Sequence, residues 1–353
     1  MQGDDHQREA GGRHGGRARI PLRGVADRGE QRPCREAVGD GDPLPRTRAR
    51  DRHGHPQLYR AGRIVTVQLL HLADLHFGGL ADIRQIEALE KMIPDLRPDV
   101  TVIAGDLSQR ARHGELQRAR AFANLAAATA PVHVIPGNHD VRWWTRPLIP
   151  LARDLLYRKY VQYFGADLAP TLTVHGAVIA SALTSHGVAW GSLTLRARDL
   201  AVKGHLPKRE LLRVKQVFAA APPDQVRVLV LHHNVLRGEI SRRMGLARWR
   251  QAQRRIVDSG ADVVLCGHDH QEGADVLQGR VVVSTAGTLS TRTRGGRPSS
   301  FNFVTIETSA VQITIFRWEA ARGRFRASDT LAFARPGRAA VPSKDSLPVG
   351  QAG

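Results

Sequence analysis

The chain has 353 residues, 42% of them hydrophobic, a length and apolar content that suit one large globular domain or two ordinary ones. It has no run of about 18 apolar residues, which argues against a membrane-spanning helix. No apolar segment follows the basic N-terminal residues, so the expectation is a cytoplasmic protein, not a secreted one. The formal net charge is +19. Arginine carries nearly all of it, since Lys91, Lys159, Lys203, Lys208, Lys215 and Lys344 are the only lysines. A GC-rich coding bias yields such a composition without selection, so nucleic acid is a partner the charge permits but does not favour. The charge does draw anionic substrates. Cys34 and Cys266 are too few for a disulfide framework and are expected to be free thiols.

Residues 1–63 are rich in Arg, Gly, Asp and Pro with almost no apolar periodicity. They read as a disordered basic arm or as a wrongly assigned start. From Ile64 the texture changes, and residues 64–335 form the expected domain. Ile64–Leu72 is a run of strand length, and Ala81–Leu96 places Ile83, Ile86, Leu89, Met92 and Ile93 at helical spacing. Asp99–Ala104 predicts a strand, Glu115–Thr129 a helix and Val132–Ile135 a third strand. Strand and helix in alternation imply parallel pairing through right-handed crossovers. Trp143–Phe164 reads as mixed and helical, Leu172–Ala180 and Val188–Leu193 as strands. Lys208–Ala220 reads as a helix with Leu211, Leu212 and Val217 on its inner face. Val226–Leu231 and Asp262–Cys266 are short buried strands flanking an Arg-rich amphipathic helix, Ala247–Ser259. Val281–Ser284, Phe301–Ile306 and Ala310–Trp318 complete the β structure, and residues 336–353 read as a disordered tail. Two βα-rich halves with their sheets face to face and helices outside make the predicted architecture.

Metal-ligating residue types sit at the ends of these strands. Asp74 and His76 follow the first, Asp106 the second, and Asn138, His139 and Asp140 the third. His232 and His233 end the Val226 strand, and His268 and His270 follow the Asp262 strand. In open α/β sheets, sites form where loops converge at the carboxyl ends of strands. Asp-x-His and His-x-His each put two ligands on one short turn, and Gly105, Gly137 and Gly267 let the backbone turn close to an ion. The Asp, His and Asn donors suit Mn, Fe, Zn or Mg in a catalytic role better than a structural zinc. Singly each motif is weak; together, each at a strand end, they point to a metal centre.

The blocks Asp74-x-His76, Gly105-Asp106, Gly137-Asn-His-Asp140, His232 and Gly267-His-x-His270 resemble the five blocks of the calcineurin-like metallophosphoesterase superfamily. The resemblance implies a four-layer α/β/β/α sandwich with two mixed sheets and two divalent metal ions. It implies that Asp74, His76 and His270 bind the first ion, that Asn138, His232 and His268 bind the second, and that Asp106 bridges them. His232 is preferred to His233 because the family's ligand is the first polar residue after that strand. His139 is implied to face the leaving group, with Asp140 orienting it or serving a structural role. Such centres attack phosphorus with a metal-bridging hydroxide. The expected substrate is an anionic phosphoester, with a small, cyclic-nucleotide-like diester preferred. His71-Leu-Ala-Asp-Leu-His-Phe-Gly78 also resembles the opening of DNA-repair nucleases, which stand as the alternative. A protein phosphatase is disfavoured, because Gly137-Asn-His-Asp140 and Gly105-Asp-Leu-Ser-Gln-Arg110 depart from that branch's blocks. Trp143 and Trp144 could stack on a base, and Arg237, Arg242, Arg243, Arg292, Arg294 and Arg297 could hold phosphate, although packing and solvated loops are the default for these residues.

Overall fold

The computed structural model of the chain describes residues 66–141, 153–187 and 203–335. The expectations for residues 1–63, for Cys34, for Trp143 and Trp144, for the 188–193 strand and for the tail lie outside those residues.

Seventeen elements follow in order: β1 (Val67–Leu72), α1 (Ile83–Leu96), β2 (Val100–Ile103), α2 (His113–Ala127), β3 (Val132–Val134), α3 (Arg153–Phe164), β4 (Thr171–Val174), β5 (Ala177–Ser181), α4 (Lys208–Ala220), β6 (Val226–His233), α5 (Trp249–Asp258), β7 (Val263–Gly267), β8 (Gly273–Leu277), β9 (Val281–Thr285), β10 (Ser300–Ile306), β11 (Ala310–Glu319) and β12 (Arg324–Ala334). They build two six-stranded mixed sheets, ordered β12-β11-β10-β1-β2-β3 and β4-β5-β6-β7-β9-β8. β1, β2 and β3 run parallel, as do β5, β6, β7 and β9. The remaining strands join antiparallel at the flanks.

Strand periodicity explains why the sheets stack. Successive side chains point to opposite faces, and in β1 Val67 and Leu69 join one apolar cluster while Leu70 and Leu72 join another. The first cluster also takes Val226, Val228 and Val230 of β6 and Val263 and Leu265 of β7, so it is the layer between the sheets. Leu70 and Leu72 face the other way, onto Ile86, Leu89 and Ile93 of α1 and Phe122 of α2. On the second sheet, Leu229, Leu231 and Val264 pack against Leu211, Val214 and Phe218 of α4 and Ile256 of α5. Three apolar layers between four structural ones make the α/β/β/α sandwich. Both parallel blocks are buried on two faces, which is why their strands read as continuous apolar runs.

Three expectations change. Leu172–Ala180 is two strands, β4 and β5, because His175-Gly176 forms a turn in which Gly176 takes φ 80°, a region open to glycine. On α4 the inner face is Leu211, Val214 and Phe218 at i, i+3 and i+7; Leu212, one residue out of phase, is 50% exposed. β8 and β12 were not expected. β8 is short and half-buried, and β12 is largely exposed, so neither stands out as an apolar run. Polar side chains also meet in the layer between the sheets, among them two histidine–serine pairs. His133 Nε2 lies 2.6 Å from Ser181 Oγ, and His71 Nδ1 lies 3.0 Å from Ser284 Oγ.

Candidate metal centre

The parallel strands of both sheets discharge their loops at one end. There the first two loops continue the β1–β2 pairing as irregular backbone. Asp74 N donates to Gly105 O, His76 N to Asp106 O and Phe77 N to Leu107 O, at 2.8–3.0 Å. On the second sheet, the β6–β7 register slips by one residue between Val230 and His233. A bulge of this kind re-aims the side chains beside it, here His232 and His233. Asp74, His76, Asp106, His268 and His270 all have left-handed backbones, with φ between 47° and 73°. Such conformations are uncommon for residues other than glycine, and they concentrate at functional sites.

These turns bring the donor atoms into two groups. In the first, His76 Nε2 lies 2.9 Å from His270 Nε2, and Asp74 Oδ1 lies 3.3 Å from His270 Nε2 and 3.7 Å from His76 Nε2. In the second, Asn138 Oδ1 lies 3.0 Å from both His232 Nε2 and His268 Nδ1, which are 3.3 Å apart. Asp106 stands between the groups. Its Oδ2 is 3.8 Å from His76 Nε2, and its Oδ1 is 3.4 Å from His232 Nε2. Gly137 allows that carboxylate its place, since a Cβ there would lie 2.1 Å from Asp106 N and Oδ1.

The donor set fits cations. Asp74 Oδ1 is buried and has no hydrogen-bond partner, while its Oδ2 accepts from His268 N at 2.7 Å. His270 Nδ1 donates to Arg292 O and His232 Nδ1 to Ala104 O, both at 2.8 Å. That anchoring fixes each ring and turns Nε2 inward, where it offers a lone pair when the ring is neutral. Burial drives His76 down to about 3 against the pull of Asp106. Burial and the neighbouring His233 and His232 push His268 well below its ordinary value. Neutral imidazoles are the form that ligates metal. Burial also lowers His232, but Asp106, Asp74 and the Ala104 carbonyl outweigh it and lift the ring to about 9. Burial raises the Asp106 carboxyl, yet His232, His139 and His76 prevail and hold it well below the usual carboxylate range. The centre is therefore a candidate dimetal site of N and O donors. Cys266 adjoins it but belongs to the α4/α5 core, and its thiol is free.

The other predicted residues fall close by. His139 meets His76 edge-on, with ring centroids 4.8 Å apart, and its Nδ1 donates to Gln109 O at 2.8 Å. Asp140 accepts from Leu107 N, Ser108 N, Ser108 Oγ and Gly137 N at 2.7–3.1 Å, which locks the second loop to the third. Its carboxyl is raised by burial and by the charge of Asp106. His233 offers a ring nitrogen within 4.8 Å of those of His232 and His268, so by distance it too belongs to the second group; its Nδ1 lies 2.8 Å from Thr184 Oγ1 and a Cβ on Gly204 would strike its ring. Sequence reasoning missed the carbonyls of Gln109, Ala104 and Arg292, as well as Thr184. A backbone acceptor leaves no residue-type signal, since every residue offers a carbonyl.

The fold and this geometry define a class, the metallophosphoesterases. The sequence profile of the calcineurin-like phosphoesterase family matches residues 67–272, and the chain belongs to that family. Among solved structures it is similar to the purple acid phosphatase from yellow lupin (Lupinus luteus) seeds, with 12% identity, a TM-score of 0.56 and coverage of 78% of this chain and 55% of that one. It is also similar to a dimetal phosphatase from Danio rerio, with 13% identity, a TM-score of 0.51 and coverage of 76% and 99%. A third is GAP50 of Plasmodium, described as the anchor in the inner membrane complex, with 11% identity, a TM-score of 0.52 and coverage of 78% and 90%. The match thus spans about half the length of the lupin phosphatase. At these identities the likeness is one of fold. No curated protein matches the chain in sequence. Among the described residues no helix is long and apolar enough to cross a membrane.

Proposed function

We propose that the chain is a dinuclear metal-dependent phosphohydrolase that cleaves phosphodiesters. The observation that carries the reading is Asp106, whose two carboxylate oxygens face two separate donor groups. Asp74, His76 and His270 would hold one cation, Asn138, His232 and His268 the other, with Asp106 shared. Bound divalent ions supply Lewis-acid charge and lower the pKa of water to near neutrality. The chain's own groups do the rest. The Nδ1–H given to the Gln109 carbonyl fixes the His139 ring, and Nε2 is the atom we assign to the reaction. As water adds to phosphorus and gives up a proton to solvent, the P–O bond to the leaving group breaks, and His139 would donate a proton from Nε2 to the departing oxygen and recover one from solvent. Asp140 acts as a positioning residue: it holds Ser108 and Gly137, and through them the loops carrying Asp106 and His139.

The preference for a diester rests on the resemblance of the compact domain and of Ala286-Gly-Thr288, with its following paired strands, to small bacterial-type phosphodiesterases. To test the reading, metal-stripped protein is assayed with aryl phosphodiester and phosphomonoester, each with and without Mn²⁺ and other divalent ions. Stimulated diester hydrolysis supports it, and no hydrolysis under any ion overturns it. A faster monoester would overturn the diester preference alone. Asp106→Ala is expected to abolish activity and lower metal content.

A further inference from the structure

The loop that follows β6 and the loop that follows β9 meet across the end of β7, beside the first donor group. Both are firmly built. Ile240 N donates to Gln271 Oε1 at 2.9 Å, Ser241 Oγ to Asp269 Oδ2 at 2.8 Å, and Arg294 Nε to Asp269 O. Arg297 pairs with Glu239 at 2.7 Å, and a Cβ on Gly295 would press on Ile240. Between the loops runs an open groove of about 340 Å³ lined by Ile240, Ser241, Arg243, Thr293, Arg294 and Gly295. Two of its lining residues, Ser241 and Arg294, bond Asp269 on the turn of the candidate ligands. Asp269 stands between His268 and His270 in the chain, and the carbonyl of Arg292 receives the His270 Nδ1 proton.

The charge of this rim is unbalanced. The carboxylates here are already engaged: Asp269 by Arg294, Glu239 by Arg297, and Glu272 by Arg317 and Arg297. Arg237, Arg242, Arg243 and Arg292 are exposed, and none pairs with a described carboxylate. Guanidinium groups with hydroxyls beside them are phosphate-binding chemistry. Of these four, Arg243 lines the groove and Arg292 precedes its lining residue Thr293 in the chain.

We propose that this groove is a second phosphate subsite, so that the substrate carries at least one further phosphate next to the phosphoester that is cleaved. The proposal rests on the phosphohydrolase reading for its chemistry, but the binding it requires does not depend on turnover. A flanking phosphate could come from an oligonucleotide chain or from a small bisphosphorylated compound. In either case Arg243 and Arg292 would contact it electrostatically.

The test uses metal-stripped, full-length protein and fluorescence anisotropy of a 5′-labelled hexathymidylate across a NaCl series. Arg243→Ala/Arg292→Ala is expected to weaken binding at least tenfold at low salt. It should also reduce the log–log salt slope by about 0.7 to 1.4, the value for one or two single-strand phosphates. Arg254→Ala, an exposed cation on α5, is expected to change binding less than threefold. Thymidine 3′,5′-bisphosphate competing within about tenfold of unlabelled hexathymidylate assigns the small source, and weaker competition assigns the chain. The proposal is overturned if the parent shows no salt-sensitive binding to either compound. It is also overturned if the double variant binds like the parent, or if Arg254→Ala loses as much. Both variants replace exposed side chains, so a thermal melt that matches the parent's will exclude misfolding. Because no metal is present, failure here leaves the hydrolase reading standing, and failure of hydrolysis leaves this result interpretable.

Discussion

Gly137→Ala perturbs the candidate centre without replacing a candidate ligand. The added Cβ would sit 2.1 Å from both the backbone N and Oδ1 of Asp106, where ordinary contact begins at 3.4 Å. One of the two loops must therefore move by about 1.3 Å, the difference between those distances. The movement has nowhere soft to go, because the contact is backbone on one side and a buried carboxylate on the other. It would break the 2.8 Å bond from His139 N to Asp106 Oδ1 and the 2.8 Å bond from Gly137 N to Asp140 Oδ2. Overpacking of this kind costs about 1–3 kcal/mol of stability. A displacement of ~1 Å at reacting groups costs about 10²-fold in rate. The expected result is a folded protein with a lowered Tm, reduced metal content after dialysis against Mn²⁺, and kcat/KM on an aryl diester down about 100-fold or more. Gly114→Ala is the control. That residue lies in α2 with nothing within 4 Å of an added Cβ, so activity should hold and stability should rise by up to ~1 kcal/mol. If Gly137→Ala kept full metal content and activity within threefold of the parent, the close packing of these two loops would not be what places Asp106, and the reasoning would fail.

His139→Ala is expected to retain metal and lose about 10²–10⁴-fold in kcat, most with poor leaving groups; loss of metal in the variant would refute its placement outside the ligand set. Burial lowers His133 from 6.5 to about 4, with Asp167 opposing. The unfolded chain therefore protonates first, so this group's contribution is intact above pH 6.5 and is lost as pH falls toward 4. At pH 5 the loss is worth ~2 kcal/mol. Urea midpoints of metal-free protein at pH 7 and 5 should therefore diverge less in His133→Gln, and equal divergence would refute the assignment. Cys266 is fully buried, and burial pushes its thiol up to about 11. In a Cys34→Ser background a thiol reagent should find nothing in the native protein and one thiol in guanidinium; rapid native labelling would contradict the packing.

The doubly buried parallel strands were legible because their apolar runs need no alternation to be noticed, and polar ligands directly after them stand out against that background. The helical face of α4 was harder. Leu211 and Leu212 are the same residue type, and only Val214 and Phe218 fix the phase that buries one and exposes the other. β12 escaped because its sequence, ArgPheArgAlaSerAspThrLeuAlaPheAla, is an exposed edge that pairs through backbone with β11, and pairing of that kind imposes little on side chains. Within the site, residue types announced the donors but not their supports. For Asp140 the residue type leaves open orienting His139 or a structural role; its carboxylate joins the second loop to the third, and the hydrogen bond at His139 Nδ1 goes to a carbonyl of Gln109.

The left-handed backbones of Asp74, His76, Asp106, His268 and His270 separate what is good for the site from what is good for the chain. Each such conformation carries a cost on the order of 1 kcal/mol or more, and the paired sheets beneath must hold all of them at once. The turns are thus more secure than their own sequences would make them, and they depend on a scaffold tens of residues away. Replacing one of these residues by glycine would relax the backbone while removing a candidate donor atom. A screen that selected for thermal stability alone would accordingly drift toward glycine at these positions, and toward a sturdier sandwich without its donor groups.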